Sequence, residues 1–128
     1  MNATVKDMMA AANAAVPRIT PLEAREMMEK GNTVVIDVRD APEVEKTGRV
    51  AGALHISRGM LEFRADPETP SHDPHLARDR TVILYCGTGG RAALGGKLLK
   101  DMIFSFGNSG ISGNGNNVSG TITSSGHQ

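Results

Sequence analysis

The spacing of apolar positions changes along the chain, and each change marks an element. Thr33-Val34-Val35-Ile36-Asp37-Val38 and Thr81-Val82-Ile83-Leu84-Tyr85 are mostly apolar runs rich in β-branched residues. Such runs suit strands buried on both faces, as in a parallel sheet. Ala53-Leu54-His55-Ile56 predicts a shorter strand, and Arg18-Ile19 a brief first one. Helical stretches lie between these runs. Thr4 to Ala15 is rich in Ala and Met, with Thr4 placed to cap it and Pro17 to stop it. Thr20-Pro21-Leu22-Glu23 combines a cap, a proline at the first helical position and a capping-box glutamate, with Gly31 as terminator. Pro42 to Thr47 predicts a short helix, Met60 to Phe63 a helical turn, and Arg91 to Met102 a longer helix. Asp66 to Asp79 carries three prolines and reads as a surface loop.

Strands alternating with helices predict an α/β sandwich around a mainly parallel sheet. Ligands of such sheets bind outside the carboxyl ends of the strands. Asp37 and Cys86 both fall at such ends.

Composition narrows the classes of function. Lys+Arg and Asp+Glu are both 14, so the formal net charge is zero, which argues for neither nucleic acid nor an anionic membrane as partner. The single cysteine excludes an internal disulfide and suits a reducing, cytoplasmic setting. No apolar run approaches membrane-spanning length, and Met8 to Val16 reads as an amphipathic helix rather than a leader. Aromatics are 3% of the chain, so the core is expected to be aliphatic and Met-rich.

The composition breaks after Met102. Residues 103–128 hold no Asp, Glu, Lys or Arg, and 16 of these 26 are Gly, Ser or Asn. Three parts are therefore expected: a helical extension over 1–16, a globular domain over 17–102, and a poorly ordered tail over 103–128. Within the tail only Ile103 to Phe106 and Val118 to Thr123 have strand character. If neither joins the sheet, the Thr81–Tyr85 strand keeps an exposed edge.

The chemistry concentrates in Cys86-Gly87-Thr88-Gly89-Gly90-Arg91, between a strand and a helix. Loop amides and the helix dipole favour an anion there, and the thiolate is the nucleophilic form of cysteine. Glycines let amides point inward, and Arg91 offers a fork for an oxyanion. Other candidates are weaker. Asp37 and Arg39 suit a structural ion pair better than a direct role in the site. Arg58 and Glu62 suit a pocket entrance and a solvated surface equally. His72 and His75 lack further ligands at a metal-binding spacing, and His55 reads as a packed strand residue.

The cysteine loop resembles the active-site loop of rhodanese-like single-domain sulfurtransferases. Val35-Ile36-Asp37-Val38-Arg39 with Glu43-Val44, and Gly52-Ala53-Leu54-His55-Ile56, resemble two further segments of that family, in the right order. The chain departs from the family at Gly48-Arg49-Val50-Ala51 and at Ser57. The resemblance implies a three-layer sandwich with a central, mainly parallel sheet, whose fifth strand and last helix the tail does not supply in recognisable form. It implies sulfur transfer through a Cys86 persulfide, from a small sulfur-donor anion such as thiosulfate to cyanide, a thiol or a protein acceptor. Gly87, Thr88, Gly89, Gly90 and Arg91 would hold the persulfide, with Asp37, Arg39 and Arg58 in support, and with no cofactor or metal. Cysteine phosphatases and arsenate reductases use a loop one residue longer, so sulfur transfer ranks above them. A non-catalytic binding or regulatory module, or a truncated inactive product, stays open because of the tail.

Overall fold

The computed structural model describes residues 3–77, 79–87, 89–105 and 118–123. The chain starts with α1 (Val5–Ala15), whose Thr4 and Asp7 form a reciprocal capping box. Helix α2 (Pro21–Lys30) repeats the device with Thr20 and Glu23, and ends at Gly31, where φ is +86°. Strand β1 (Thr33–Asp37) follows, then α3 (Ala41–Thr47) and the two-residue β2 (Leu54–His55). A 3-10 turn (Arg58–Met60) leads into α4 (Leu61–Ala65). After a long turn-rich segment come β3 (Thr81–Cys86) and α5 (Gly90–Ser105), and finally β4 (Val118–Thr123).

Among the described residues every strand pair is parallel, in the order β2-β1-β3-β4. In β1 and β3, alternate side chains point to opposite faces. Val34, Ile36 and Val38 of the first run join Val82, Leu84 and Cys86 of the second in one core. Val16, just after α1, with Leu61 of α4 and Ala92 and Leu99 of α5, covers that face. Val35, Ile83 and Tyr85 face the other way, against Ala24 of α2 and Ala53, with Ile19, Met27 and Met28 packed on them. The result is the expected helix–sheet–helix sandwich. Ile36, Ile83 and Leu84 have no solvent exposure, and each stabilises the fold by about 1.5–3 kcal/mol relative to an exposed position.

Helix α1 is tied to the body of the domain. Ala12 and Val16 are buried, and Lys100 Nζ of α5 donates to the Ala15 carbonyl at 3.0 Å. That bond puts a cation on an unpaired carbonyl at the C-terminal end of α1.

Three expectations change. Arg18 forms only an isolated bridge and Ile19 none, so no regular strand precedes α2. Residues 103–105 continue α5 rather than starting a strand, because one more helical turn adds a hydrogen bond per residue on a formed nucleus. Residues 118–123 do join the sheet, pairing with β3 from Val82↔Val118 to Cys86↔Thr123. A bulge between Val82 and Ile83 absorbs the extra residue, Ser119. The edge of β3 is therefore covered, on the side where the resemblance places the fifth strand. The expected lack of the last helix, and the expected disorder of the remaining tail, concern residues outside those described.

Candidate active site

Register brings the strand ends together. Asp37 stands opposite both His55 and Tyr85, and Cys86 opposite Thr123. Cys86 is fully buried and unbridged. Its Sγ accepts the Gly89 amide at 3.0 Å and the Ala92 amide at 3.4 Å. The second donor belongs to the first turn of α5, where amides have no partner within the helix. Ala92 and Ala93 are buried, and their small side chains let the helix start approach the sulfur. Gly89 has a φ of +93°, so a side chain there would be strained. Gly87 and Gly90 complete the turn, half-buried, while Thr88 lies outside the described residues.

Arg91 is held by acids rather than left open to the loop. Its Nη1 and Nη2 donate to the two carboxylate oxygens of Glu43 at 2.6 and 2.8 Å, and Asp40 stands 3.9 Å from Nη1. Hydrogen bonding from Arg91 lowers the Glu43 pKa to about 2, and the Glu43 bond raises that of Arg91 in return. Glu43 Oε1 also accepts the Asp40 amide at 3.2 Å, so one carboxylate caps α3 and fastens the cysteine loop to it.

Asp37 and Arg39 form a structural lock. Asp37 has no exposure and accepts the Arg39 amide, Nε and Nη2, at 2.8 to 3.2 Å. Arg39 also donates to Thr47 Oγ1 and the Gly48 carbonyl at 2.7 Å each, and lies over the Tyr85 ring. Burial raises the Asp37 pKa, but the bonds from Arg39 outweigh it and leave the group below its ordinary value. The Tyr85 hydroxyl accepts from Arg39 and from the Val50 amide. This lock joins β1, β3 and the turn after α3. His55 Nε2 donates to the Arg39 carbonyl at 2.8 Å, in keeping with a packed role.

Arg58 is turned elsewhere. It pairs with Glu62 and lines a groove of about 270 Å³ between α1 and α5, with Met8, Leu94 and Leu98. His75 bonds Asp73, and no group of three or more His, Cys, Asp or Glu is placed to hold a metal among the described residues. Nor is any helix there long and apolar enough to cross a membrane.

Two residues near the loop carried no assigned role in the sequence reading. Glu43 had a local signal, as the fourth residue of Asp40-Ala41-Pro42-Glu43, a capping-box spacing. Arg18 had none. Its guanidinium packs on Gly89, where an added Cβ would lie 2.7 Å from Nη1 and 2.9 Å from Nη2.

The comparisons with known proteins agree with this geometry. The sequence model of the rhodanese-like domain matches residues 20–118. The chain belongs to the rhodanese-like domain family. The match runs past Met102 and includes the first residue of β4. Over 64 residues the rhodanese-like chain is 36% identical to a tRNA sulfurtransferase from Desulfurococcus amylolyticus. That stretch is 50% of this chain but only 11% of the relative's length. Among solved structures, a protein of unknown function from Rhodopseudomonas palustris, described as a possible tyrosine phosphatase, superposes with a TM-score of 0.79 at 29% identity. The match covers 96% of this chain and 86% of that one. The human single-domain sulfurtransferase TSTD1 has a TM-score of 0.61 at 19% identity, over 88% and 92% of the two chains, and shows the shared fold.

Proposed function

We propose that this rhodanese-like domain is a cytoplasmic sulfurtransferase that carries sulfane sulfur on Cys86. The supporting observation is the sulfur's setting: a buried Sγ facing the amides of Gly89 and Ala92, in a loop with four residues between Cys86 and Arg91. Backbone donors fixed before reaction stabilise a sulfur anion with little reorganisation.

In the first step the Cys86 thiolate attacks the outer sulfur of a thiosulfate-like donor. The new S–S bond forms as the donor's S–S bond breaks, and sulfite leaves with the electron pair. The Cys86 persulfide anion then rests on the loop amides. In the second step cyanide or a thiolate attacks the outer sulfur and the Cys86 thiolate leaves. The chain has one cysteine, so the acceptor comes from outside. Charge and electrons balance in both steps without a cofactor. The tRNA sulfurtransferase relative makes a protein or RNA-linked acceptor chemistry worth testing beside the small thiophiles.

The test is thiocyanate release from thiosulfate and cyanide, together with a mass increase of about 32 Da on Cys86, as for a persulfide. Activity that survives Cys86→Ser overturns the proposal. The Rhodopseudomonas palustris neighbour favours a second reading, phosphate-ester hydrolysis, and Cys86-dependent release of p-nitrophenol from its phosphate ester would select it. The four-residue spacing weighs against that reading, because a tetrahedral phosphate needs a wider ring of donors. A binding module without turnover would give neither product.

A further inference from the structure

We propose that Glu43 is the built-in occupant of the anion fork at the cysteine loop, and that it sets the loop against tetrahedral oxyanions. Arg91 is the second residue of α5, and its guanidinium reaches back along the loop. A methyl on Gly87, the residue after Cys86, would stand 3.8 Å from Nη2. The fork therefore lies beside the first residue that follows the cysteine.

The fork is filled from another element. Nη1 and Nη2 donate to the two Glu43 oxygens at 2.6 and 2.8 Å, the paired geometry with which a guanidinium also grips phosphate. The Glu43 carboxylate is itself fixed, because Oε1 accepts the Asp40 amide at the start of α3. Its hydrogen bonds raise the Arg91 pKa more than the charges of Cys86 and Asp40 do. Asp40, 3.9 Å from Nη1, brings a second negative charge. One guanidinium thus faces two carboxylates, and the cluster is net negative.

The consequence is selectivity. A tethered ligand competes at its effective concentration, of roughly millimolar order for short flexible links. An oxyanion that needs both fork nitrogens must displace Glu43 and then sit beside Asp40. A sulfur anion on Cys86 makes no such demand, because its donors are the Gly89 and Ala92 amides. The loop keeps its amides for sulfur and withholds its guanidinium from phosphate. Arg91 and Glu43 are 34% and 42% exposed, so dissolved anions reach the pair and can contest it. The bearing on a sulfonate-carrying sulfur donor rests on the proposed sulfur transfer, whereas the contest for Arg91 does not.

The experiment measures binding of inorganic phosphate to the full-length protein by phosphorus NMR titration, at neutral pH and constant ionic strength. Glu43→Gln should bind phosphate about 3- to 5-fold more tightly than wild type, the upper value being the equivalent of about 1 kcal/mol for a partly exposed ion pair. Glu43→Asp keeps the charge but shortens its reach, and should fall between the two. Adding Asp40→Asn to Glu43→Gln should tighten binding further. Adding Arg91→Gln instead should abolish the gain. Equal phosphate affinity in wild type and Glu43→Gln overturns the proposal, and so does the absence of binding in both. A gain that survives Arg91→Gln also overturns it, since the phosphate then sits elsewhere. Thiocyanate assays separate the two proposals. Tighter phosphate binding with no thiocyanate from wild type or variant sinks sulfur transfer and keeps Glu43 as the occupant. Thiocyanate production with unaltered phosphate affinity does the reverse. Where both hold, Glu43→Gln should also lower the KM for thiosulfate.

Discussion

Glu43→Gln removes one partner of the carboxylate–guanidinium fork that fastens the cysteine loop to α3. The bond is short and bidentate, 2.6 and 2.8 Å, but the two side chains are 42% and 34% exposed. A fall in the Glu43 pKa from 4.5 to about 2 corresponds, at face value, to about 3 kcal/mol. Solvent screening of exposed partners reduces this to about 1 kcal/mol. Asp40, 3.9 Å from Arg91 Nη1, compensates part of the loss in the variant. The expected cost at neutral pH is therefore about 1 kcal/mol, or a melting-temperature drop of about 3–5 °C for a domain of this size.

The pH dependence has a definite sign. The folded state holds Glu43 below its unfolded value, so its contribution is complete above about pH 4.5 and fades as pH falls towards about 2. Urea titrations of wild type and Glu43→Gln at intervals from pH 7 to pH 3 measure the difference directly. The gap should hold steady down to about pH 5 and then narrow. A gap absent at pH 7, or one that widens as the solution is acidified, refutes the reasoning.

Asp37→Asn leaves Arg39 buried without its counter-charge and should cost about 3–5 kcal/mol, shifting the melt by on the order of 10 °C. An unshifted melt would show that the lock is dispensable. Gly95→Ala sets two effects against each other. Alanine gains about 0.8–1 kcal/mol in helix propensity, but its Cβ would stand 2.9 Å from Leu61 Cδ2 and 3.3 Å from Leu84 Cδ1. Both leucines are fully buried and have little room to yield, so overpacking of about 1–3 kcal/mol should win. A stabilised variant in a denaturant titration would reverse that judgement. Gly89→Ala should cost about 1–2 kcal/mol from its positive φ and push the Arg18 guanidinium away from the loop. An unshifted midpoint in a denaturant titration would show that the loop takes the side chain without strain.

The sequence disclosed what is encoded locally. Thr20, Pro21 and Glu23 announce a helix start within four residues, and the β-branched runs at Thr33 and Thr81 suit buried strands. The strand–loop–helix setting of Cys86 was legible for the same reason. What stayed hidden depends on which distant residue arrives first. Arg91 has the sequence position of an anion fork, yet Glu43, from a different element, occupies it. Arg18 reads as an ordinary extended residue until Val16 and Ile19 are seen anchoring opposite layers. The pairing of Val118 to Thr123 was equally open, because weak strand propensity gains meaning only beside the free edge of β3.

That last pairing has a consequence for the order of assembly. β1 and β2 are joined through the short α3, and those contacts can form while much of the chain is still being made. β4 is the last described element to leave the ribosome, and its partner is the strand that ends in Cys86. Closing this pair must overcome the entropy of the loop between Cys86 and Val118, and it can start only once β4 has been made. Until then the strand that ends in Cys86 has a free edge able to pair with other chains. The strand that carries Cys86 thus gains its last described neighbour only after the cysteine itself has been synthesised, and its edge stays open over that interval.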